Sequence, residues 1–175
     1  MIRAVFPGTF DPIHYGHIDI ARRAVRLFDE LVVAVYDRSL KSLLFSPEER
    51  LQLVEKAFED DGKIKAMLFS GLIVNFCQKV ESQVIVRGLR VFSDFELEFR
   101  MALANHRLNP DIDVIALITS EEHSFLTGST VKEIASLNGD VSTFVPPHVM
   151  KALKDKFSSL SDEVIGGMSL NSLRD

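Results

Sequence analysis

The sequence has little of several features that often define the class of a protein. Its 175 residues include one cysteine and no tryptophan, and the formal net charge is −5. A single cysteine excludes an internal disulfide, which is typical of proteins from reducing compartments. The negative charge argues against nucleic acid or an anionic membrane as a partner, because both attract basic surfaces.

Long apolar runs are absent as well. None approaches the roughly 20 residues needed to span a bilayer, and the N-terminus enters a short apolar segment without the pattern of a signal peptide. We therefore expect a cytoplasmic protein. Hydrophobic residues make up 46% of the chain and charged residues 26%, which is typical of a folded domain. Cys77 follows an apolar helical segment and is predicted to be a buried, inert thiol.

Short apolar segments alternate with segments of helical periodicity along the chain. This alternation predicts an α/β fold, a single-domain, doubly wound, five-stranded parallel sheet of Rossmann-like type. The strands are predicted at about residues 2–6, 31–35, 64–69, 84–86 and 114–118, and the helices begin near Gly16, Ser46, Leu72, Ser93, Thr130 and Pro146.

Two of these helices carry capping signals. Ser46 is followed by proline and, three residues later, by Glu49, and Ser93 is followed by Glu96 at the same distance. The helix after Ser93 is expected to turn its apolar side chains inward, namely Phe95, Phe99, Ala102 and Leu103. The last helix is expected to end near residue 157. Residues 1–157 are therefore predicted to form the domain, and the Ser-rich residues 158–175 a peripheral tail.

The loop after the first strand carries the densest group of candidate functional residues. It runs from Pro7 through Asp11 to His14 and His17. Ligands of open parallel sheets bind at the carboxyl ends of the strands. At the start of the next helix, free N–H groups and the helix dipole favour an anion, so the two histidines suit phosphate oxygens. Metal ligation by the histidines is a competing interpretation, although Asp11 would give a zinc site an unusual spacing.

A second candidate group follows the fourth strand. Arg87 and Arg90 flank Gly88 and Leu89, and guanidinium groups offer a planar fork of donors that matches phosphate. Ordinary surface ion pairs are the alternative for an isolated pair. Acidic residues follow at 94–98, where they could approach a nucleotide, balance the arginines or cap the next helix.

Together, these segments resemble a known family. Gly-Thr-Phe-Asp-Pro at residues 8–12, followed by His-Tyr-Gly-His at 14–17, resembles the signature of the nucleotidylyltransferase superfamily. Arg-Gly-Leu-Arg at 87–90 and Asp-Phe-Glu-Leu-Glu at 94–98 resemble the marks of bacterial phosphopantetheine adenylyltransferases. Segments 37–41, 45–50 and 70–74 also resemble that family, and the likeness runs in order from residue 2 to about 157.

The resemblance implies the nucleotidylyltransferase fold and reversible transfer of the adenylyl group of ATP to 4′-phosphopantetheine, giving dephospho-CoA and pyrophosphate in coenzyme A biosynthesis. It implies Mg²⁺ as a partner of the ATP phosphates, without a dedicated protein ligand set, and a homohexamer. The catalytic residues implied are His17, Lys41 and Thr9, and the acceptor-binding residues are Thr9, Lys41, Ile73 and Arg87. The ATP-binding residues implied are Thr9, Phe10, His17, Gly88, Leu89, Arg90, Glu98, His123, Ser124, Phe125, Leu126, Thr127, Gly128 and Ser129.

The sequence departs from the family pattern at one position and is compatible with three rival functions. Gly128 stands where the superfamily usually has serine, and Lys132 is interpreted as a solvated helix lysine or as a charge near the phosphates. Nicotinate-mononucleotide adenylyltransferases share the first motif, but segment 87–98 argues against them. A catalytically silent nucleotide-binding protein is the second rival. A dinucleotide-binding oxidoreductase is disfavoured because the first loop lacks Gly-x-Gly-x-x-Gly.

Overall fold

The computed structural model describes residues 1–38 and 42–165, and of residue 93 and residues 160–165 it describes the backbone only. Strands and helices alternate from the first residues onward. The strands are β1 (Arg3–Gly8), β2 (Glu30–Tyr36), β3 (Ile64–Phe69), β4 (Val84–Leu89) and β5 (Asp113–Ile118). The helices are α1 (Tyr15–Ala24), α2 (Pro47–Ala57), α3 (Ile73–Lys79), α4 (Phe92–Leu108), α5 (Gly128–Ser136) and α6 (Pro147–Ile165), with a 3₁₀ turn at Glu121–His123.

The five strands form one parallel sheet in the order β3-β2-β1-β4-β5. β1 pairs with β2 over its whole length, from Arg3 opposite Glu30 to Gly8 opposite Val35, and on its other side with β4. The direction in which successive strands are added reverses at β1, so the carboxyl ends of β1 and β4 flank the switch point where such sheets bind ligands. The predicted α/β fold with a five-stranded parallel sheet is therefore confirmed.

Apolar side chains cover both faces of the central strands β1 and β2, because parallel strands covered by helices are buried on two sides. On one face, Phe6 and Val33 pack with residues of α1, α2, α5 and α6. On the other, Val5 and Val32 pack with α3, where Cys77 is fully buried. Burial raises the pKa of the Cys77 thiol to about 11, so the reactive thiolate is scarce at neutral pH and the thiol is inert.

The two predicted capping boxes have different outcomes. At α2 the Ser46 Oγ accepts from the Glu49 N–H at 3.2 Å, and Glu49 Oε2 accepts from the Ser46 N–H at 2.7 Å. At α4 the prediction is wrong, because the helix begins at Phe92 with an extended Val91 as its N-cap. α5 begins at Gly128, two residues before the predicted start at Thr130, because the Thr127 hydroxyl accepts from the Thr130 N–H.

The predicted inward face of α4 is wrong for its three large residues, whereas Ala102 is partly buried and lines the cavity. Phe95, Phe99 and Leu103 are 49%, 52% and 57% exposed. The helix carries a second apolar stripe, to which Leu97 and Met101 belong, and this stripe borders the cavity described below. Helical periodicity alone could not distinguish the two stripes, because both recur at a spacing of three or four residues.

The last helix extends further than predicted. α6 continues to Ile165, so residues 158–165 of the predicted tail are helical, and residues 166–175 lie outside the described part of the chain. Within residues 1–38 and 42–165, the structure contains no helix with both the length and the apolar character that a membrane span requires.

Candidate active site

A cavity of roughly 1000 Å³ lies at the carboxyl ends of β1 and β4, bounded by the first turns of α1 and α5 and by one face of α4. It brings together most residues that the family resemblance assigns to the site. Leu89, Ser124 and Phe125 do not line it, and Lys41 lies outside the described residues. The residues of that group that do line it are Thr9, Phe10, His17, Ile73, Arg87, Gly88, Arg90, Glu98, His123, Leu126, Thr127, Gly128 and Ser129.

The loop after β1 is shaped by a buried aromatic ring. Phe10 is 1% exposed and adopts a left-handed backbone conformation with φ of 50°, which is uncommon for a residue with a side chain. Its ring covers Gly8 so closely that a Cβ at that position would lie 3.0 Å from the ring. Gly8 therefore allows the loop to fold back under Phe10, and this fold places Thr9 in the cavity wall.

His14 and His17 stack on each other at the start of α1. Their ring centroids are 3.7 Å apart with an interplanar angle of 22°. The His14 N–H donates to His17 Nδ1 at 3.3 Å, which leaves Nε2 as the protonated nitrogen of a neutral His17 ring. Gly16 makes the stacking possible, because a Cβ there would lie 3.1 Å from the His14 ring.

Both histidines are held neutral. Burial, with Arg90 and His123 nearby, lowers the pKa of His14 to about 3. Burial also lowers the pKa of His17 well below its usual value, with further contributions from His14, Arg90 and Arg87. A neutral His17 offers the cavity one N–H donor without a resident positive charge. The negative charge of an incoming phosphate would raise the pKa of His17 again, because it favours the protonated imidazolium form.

The two arginines of the loop at β4 are oriented by carboxylates of α4. Glu98 binds Arg87 through both oxygens at 2.7 and 2.5 Å, and Arg87 also donates to the Pro7 carbonyl at 2.8 Å. Arg90 pairs with Asp94 at 3.1 Å and donates to the Leu126 carbonyl at 3.2 Å. These pairs hold both guanidinium groups in the cavity wall, within a chain that is acidic overall.

The N-terminus of α5 forms another side of the cavity. Thr127, Gly128 and Ser129 line it, and the helix dipole favours an anion there. Gly128 packs directly on the loop after β1, since a Cβ at this position would lie 2.7 Å from the Asp11 carbonyl oxygen. This close approach gives a structural reason for glycine where the superfamily usually has serine.

The carboxylate of Asp11 is occupied by partners other than the two histidines. It accepts from the N–H groups of Leu44 and Phe45 and from the Lys132 ammonium group. Metal ligation by His14, His17 and Asp11 is therefore not favoured by the geometry. The part of the chain that the structure describes contains no group of three or more histidine, cysteine, aspartate or glutamate residues arranged to hold a metal ion.

Several cavity residues were missed by sequence reasoning. Leu97, Met101, Asn105 and Leu108 lie on the face of α4 that borders the cavity, and Tyr36 lines it from the end of β2. The residues on α4 are spaced by four, four and three positions, which places them on one face of a helix and is a signal that the sequence contains. The phenylalanines on another face of the same helix give a stronger apolar signal.

Comparisons with known proteins identify relatives over most of the chain. Residues 5–134 match the family model described as cytidylyltransferase-like. The chain is 48% identical over 160 residues to the phosphopantetheine adenylyltransferase of Desulfitobacterium hafniense (strain Y51), covering 91% of this chain and 98% of the relative. It is 47% identical over 164 residues to the enzyme of the same name from Thermomicrobium roseum, with 92% and 98% covered.

A solved structure supports the fold. The crystal structure of a protein assigned as a nicotinate-nucleotide adenylyltransferase from Vibrio parahaemolyticus superposes with a TM-score of 0.67, covering 90% of this chain and 95% of that one. Its sequence identity of 16% limits the likeness to the fold. The extent and identity of the sequence matches decide the family: the chain belongs to the phosphopantetheine adenylyltransferases, within the cytidylyltransferase-like family.

Proposed function

We propose that this chain is an enzyme that transfers the adenylyl group of ATP reversibly to 4′-phosphopantetheine, giving dephospho-CoA and pyrophosphate in coenzyme A biosynthesis. The observation that carries the proposal is a cavity that combines anion-binding groups with apolar side chains. The anion-binding end, as we call the first set, consists of His17, Arg90 and the N-termini of α1 and α5. The apolar groove, as we call the second set, consists of lining residues of α3 and α4.

The nucleotide occupies the anion-binding end in this proposal. His17 and Arg90 contact the phosphates, and the N–H groups of α5 near Ser129 add donors along the triphosphate. The adenine lies toward Gly88, Leu89 and the segment from His123 to Ser129. Gly88 has no side chain, which leaves room for the adenine. A Cβ at this position would lie 3.3 Å from the Ile20 side chain, so the space is already narrow.

The acceptor occupies the groove. Ile73 at the first turn of α3, together with Leu72, Leu97 and Met101, offers an apolar wall to the pantetheine arm. Thr9 and Arg87 face the phosphate end of the acceptor. Lys41 is assigned to that phosphate by the family resemblance alone, since it lies outside the described residues.

The chemistry needs alignment more than a protein nucleophile. An oxygen of the acceptor phosphate attacks the α-phosphorus of ATP, a new P–O bond forms, and the bond to the β-phosphate breaks as pyrophosphate leaves. The protein contributes position and donors for the charge on the transferring group. His17 suits this role because its neutral ring can donate from Nε2 while Nδ1 remains bound to the backbone of the same turn.

We also propose Mg²⁺ as the divalent cation of the reaction. Mg²⁺ usually retains waters and binds substrate phosphates through few protein ligands. The described residues offer no metal-ligand cluster, so the oxygens of the ATP triphosphate are the assigned ligands. When bound, the ion supplies neutralisation of phosphate charge.

We further propose a cytoplasmic homohexamer. The support on this chain is the exposed apolar side of α4, the α4 face, defined by Phe92, Phe95, Phe99 and Leu103. The neighbouring edge strand β5 adds Ile118, which is 73% exposed. Phe92, Phe95 and Phe99 stack along the helix, and exposed apolar side chains grouped in this way mark an interaction surface more often than a solvated one.

The test is pyrophosphate release by the purified chain with ATP and Mg²⁺, comparing 4′-phosphopantetheine with nicotinate mononucleotide as acceptor. Release only with phosphopantetheine, with dephospho-CoA identified by mass, is the expected result. Release only with the mononucleotide would replace the proposed acceptor. Silence with both, combined with tight ATP binding, would favour a catalytically silent nucleotide-binding protein.

A further inference from the structure

A buried arginine lies behind the acceptor side of the cavity and does not line it. Arg50, in the first half of α2, is fully buried. Its guanidinium group makes four hydrogen bonds, and every acceptor is a backbone carbonyl. The acceptors are those of Phe45 at 3.2 Å, Thr9 at 2.7 Å, Tyr36 at 3.0 Å and Arg38 at 3.1 Å.

These carbonyls belong to three separate segments. Thr9 lies in the loop after β1, Tyr36 and Arg38 lie at the end of β2, and Phe45 precedes α2. The side chains of Thr9 and Tyr36 both line the cavity. One guanidinium group therefore bridges two parts of the cavity wall, just beyond the last pair of the β1–β2 ladder, Gly8 opposite Val35.

Burying the Arg50 guanidinium group costs folding stability, and a role in catalysis would account for that cost. A buried charge is expensive to desolvate, and neutral carbonyls offset less of that cost than a carboxylate does. Burial lowers the pKa of Arg50, although Asp11 and Asp37 act in the opposite direction. An apolar side chain in the same space would leave the four carbonyls without these hydrogen bonds, and the loops would have to rearrange to find other donors. The guanidinium group therefore favours the observed arrangement of the loops.

We propose that Arg50 is a positioning residue for the acceptor, an inference that rests on the proposed function. It holds the Thr9 segment against the end of β2 so that the phosphate of the acceptor meets the α-phosphorus in line. Of the residues assigned to ATP, Thr9 shares this contact with Arg50, but the two side chains assigned to the ATP phosphates are held independently of it. Arg90 is held by Asp94 and Leu126, and His17 by the backbone of α1, and none of these contacts involves Arg50.

The shape of the guanidinium group is essential to this role. Its five N–H donors lie in one plane and can reach carbonyls of three segments simultaneously. A lysine ammonium group would keep the charge and three donors at a single point. The conservative change Arg50→Lys should therefore preserve much of the fold while loosening the spacing between the two wall segments.

The experiment compares Arg50→Lys and Arg50→Gln with the matched control Arg3→Lys. Like Arg50, Arg3 is held by hydrogen bonds within the chain, to the Glu30 carboxylate and the Val80 carbonyl, but it lies at the opposite end of the sheet. Each variant is measured for thermal unfolding, for steady-state kinetics with varied 4′-phosphopantetheine and for the ATP Kd in the absence of acceptor. We expect kcat/KM for phosphopantetheine to fall at least about tenfold in Arg50→Lys, while the ATP Kd changes by about twofold or less.

The outcomes separate this inference from the function on which it rests. Kinetics of Arg50→Lys equal to those of Arg3→Lys, or an equal loss of ATP binding and acceptor use, would overturn the positioning role alone. Failure of both Arg50 variants to fold would assign the residue to stability and would also overturn it. A wild-type enzyme inactive with phosphopantetheine would overturn the proposed function and this inference together.

Discussion

The ammonium group of Lys132 lies 2.7 Å from the Asp11 carboxylate and joins α5 to the loop after β1. The Asp11 side chain is 2% exposed and also accepts from the N–H groups of Leu44 and Phe45. Neither interpretation of Lys132 from the sequence, a solvated lysine or a phosphate contact, anticipated this pair. The ion pair connects two walls of the cavity, each of which carries residues assigned to ATP.

Replacing Lys132 by methionine should destabilise the fold. The substitution keeps an unbranched side chain of nearly the same length but removes the positive charge paired with a buried carboxylate, and a broken buried pair costs several kcal/mol. Lys132 is partly exposed, so we expect a loss of about 2 kcal/mol in the free energy of unfolding, measured in urea. Lys151→Met, at an exposed lysine of α6, is the control, and an equal effect in both variants would contradict the role of the pair.

Substitution of His17 should reduce turnover without a comparable loss of ATP affinity. Its Nε2 proton is the neutral donor assigned to the transferring phosphate, and removal of one such donor costs about 100- to 1000-fold in kcat. We expect His17→Ala to show this loss, with an ATP Kd close to that of wild type in calorimetry. His17→Gln retains an N–H donor and should recover part of the rate. Unchanged turnover in the alanine variant would remove His17 from the mechanism.

Acid should destabilise the ligand-free protein through His14. The pKa of His14 is lowered to about 3 in the folded state, chiefly by burial, whereas an unfolded histidine titrates near 6.5. Between these values the unfolded chain binds the extra proton, so the stability contributed by a neutral His14 is present above about pH 6.5 and is lost as the pH falls toward 3. One such group changes the free energy of unfolding by about 1.4 kcal/mol per pH unit between these two pKa values.

Urea unfolding at pH 4, 5, 6 and 7 measures this slope. We expect His14→Asn to have a shallower dependence on pH than wild type by about 1.4 kcal/mol per unit between pH 4 and 6, with the difference in slope fading toward pH 7. The comparison isolates His14 because the neighbouring His17 remains in both proteins, although its own environment changes. Identical slopes would mean that His14 is protonated in the folded protein at these pH values.

The elements that sequence reasoning located well are those with strong local signals. Strand β3 was predicted at 64–69 and occupies those residues, and the capping box at Ser46 is present. The two motifs of the cavity could be placed at one edge of the sheet because parallel strands end together. Contacts between distant segments had no local signal. The Asp11–Lys132 pair spans 121 residues, and the carbonyls bound by Arg50 have no side-chain identity that a sequence could reveal.

The orientation of α4 was mispredicted for a related reason. An apolar stripe predicts burial against whatever covers it, but none of the residues that the structure describes buries Phe95 or Phe99, which are 49% and 52% exposed. The hydrophobic pattern marks two apolar stripes on α4 and does not say which of them borders the cavity.

Introducing a charge on the α4 face should disrupt self-association. Phe99 stacks on Phe95 with ring centroids 5.8 Å apart and is half exposed, so a carboxylate there would be desolvated in any interface that covers it. We expect wild type to sediment as an oligomer and Phe99→Glu as a smaller species. Leu27→Glu, at an exposed apolar residue outside α4 and β5, is the control. An unchanged mass for Phe99→Glu would exclude this face from the interface.

Adding a side chain at Gly128 should displace the start of α5. A Cβ there would lie 2.7 Å from the Asp11 carbonyl oxygen and 3.3 Å from its carbon, and both are backbone atoms that cannot rotate away. We expect Gly128→Ala to lose about 1–3 kcal/mol of stability, as overpacked sites do. We also expect weaker ATP binding, because Thr127 and Ser129 would shift away from the phosphates.

Two further variants make the interpretation of Gly128 specific. At Gly62, a Cβ would meet no atom within 4 Å, so Gly62→Ala controls for the effect of replacing glycine itself. Gly128→Ser restores the residue usual in the superfamily and adds a hydroxyl donor beside the phosphates. If close packing on Asp11 dominates, serine should weaken ATP binding as alanine does. The contrary result is that Gly128→Ser binds ATP as tightly as wild type while Gly128→Ala does not. In that case the serine hydroxyl compensates for the displaced helix, and both glycine and serine can form a working phosphate-binding turn.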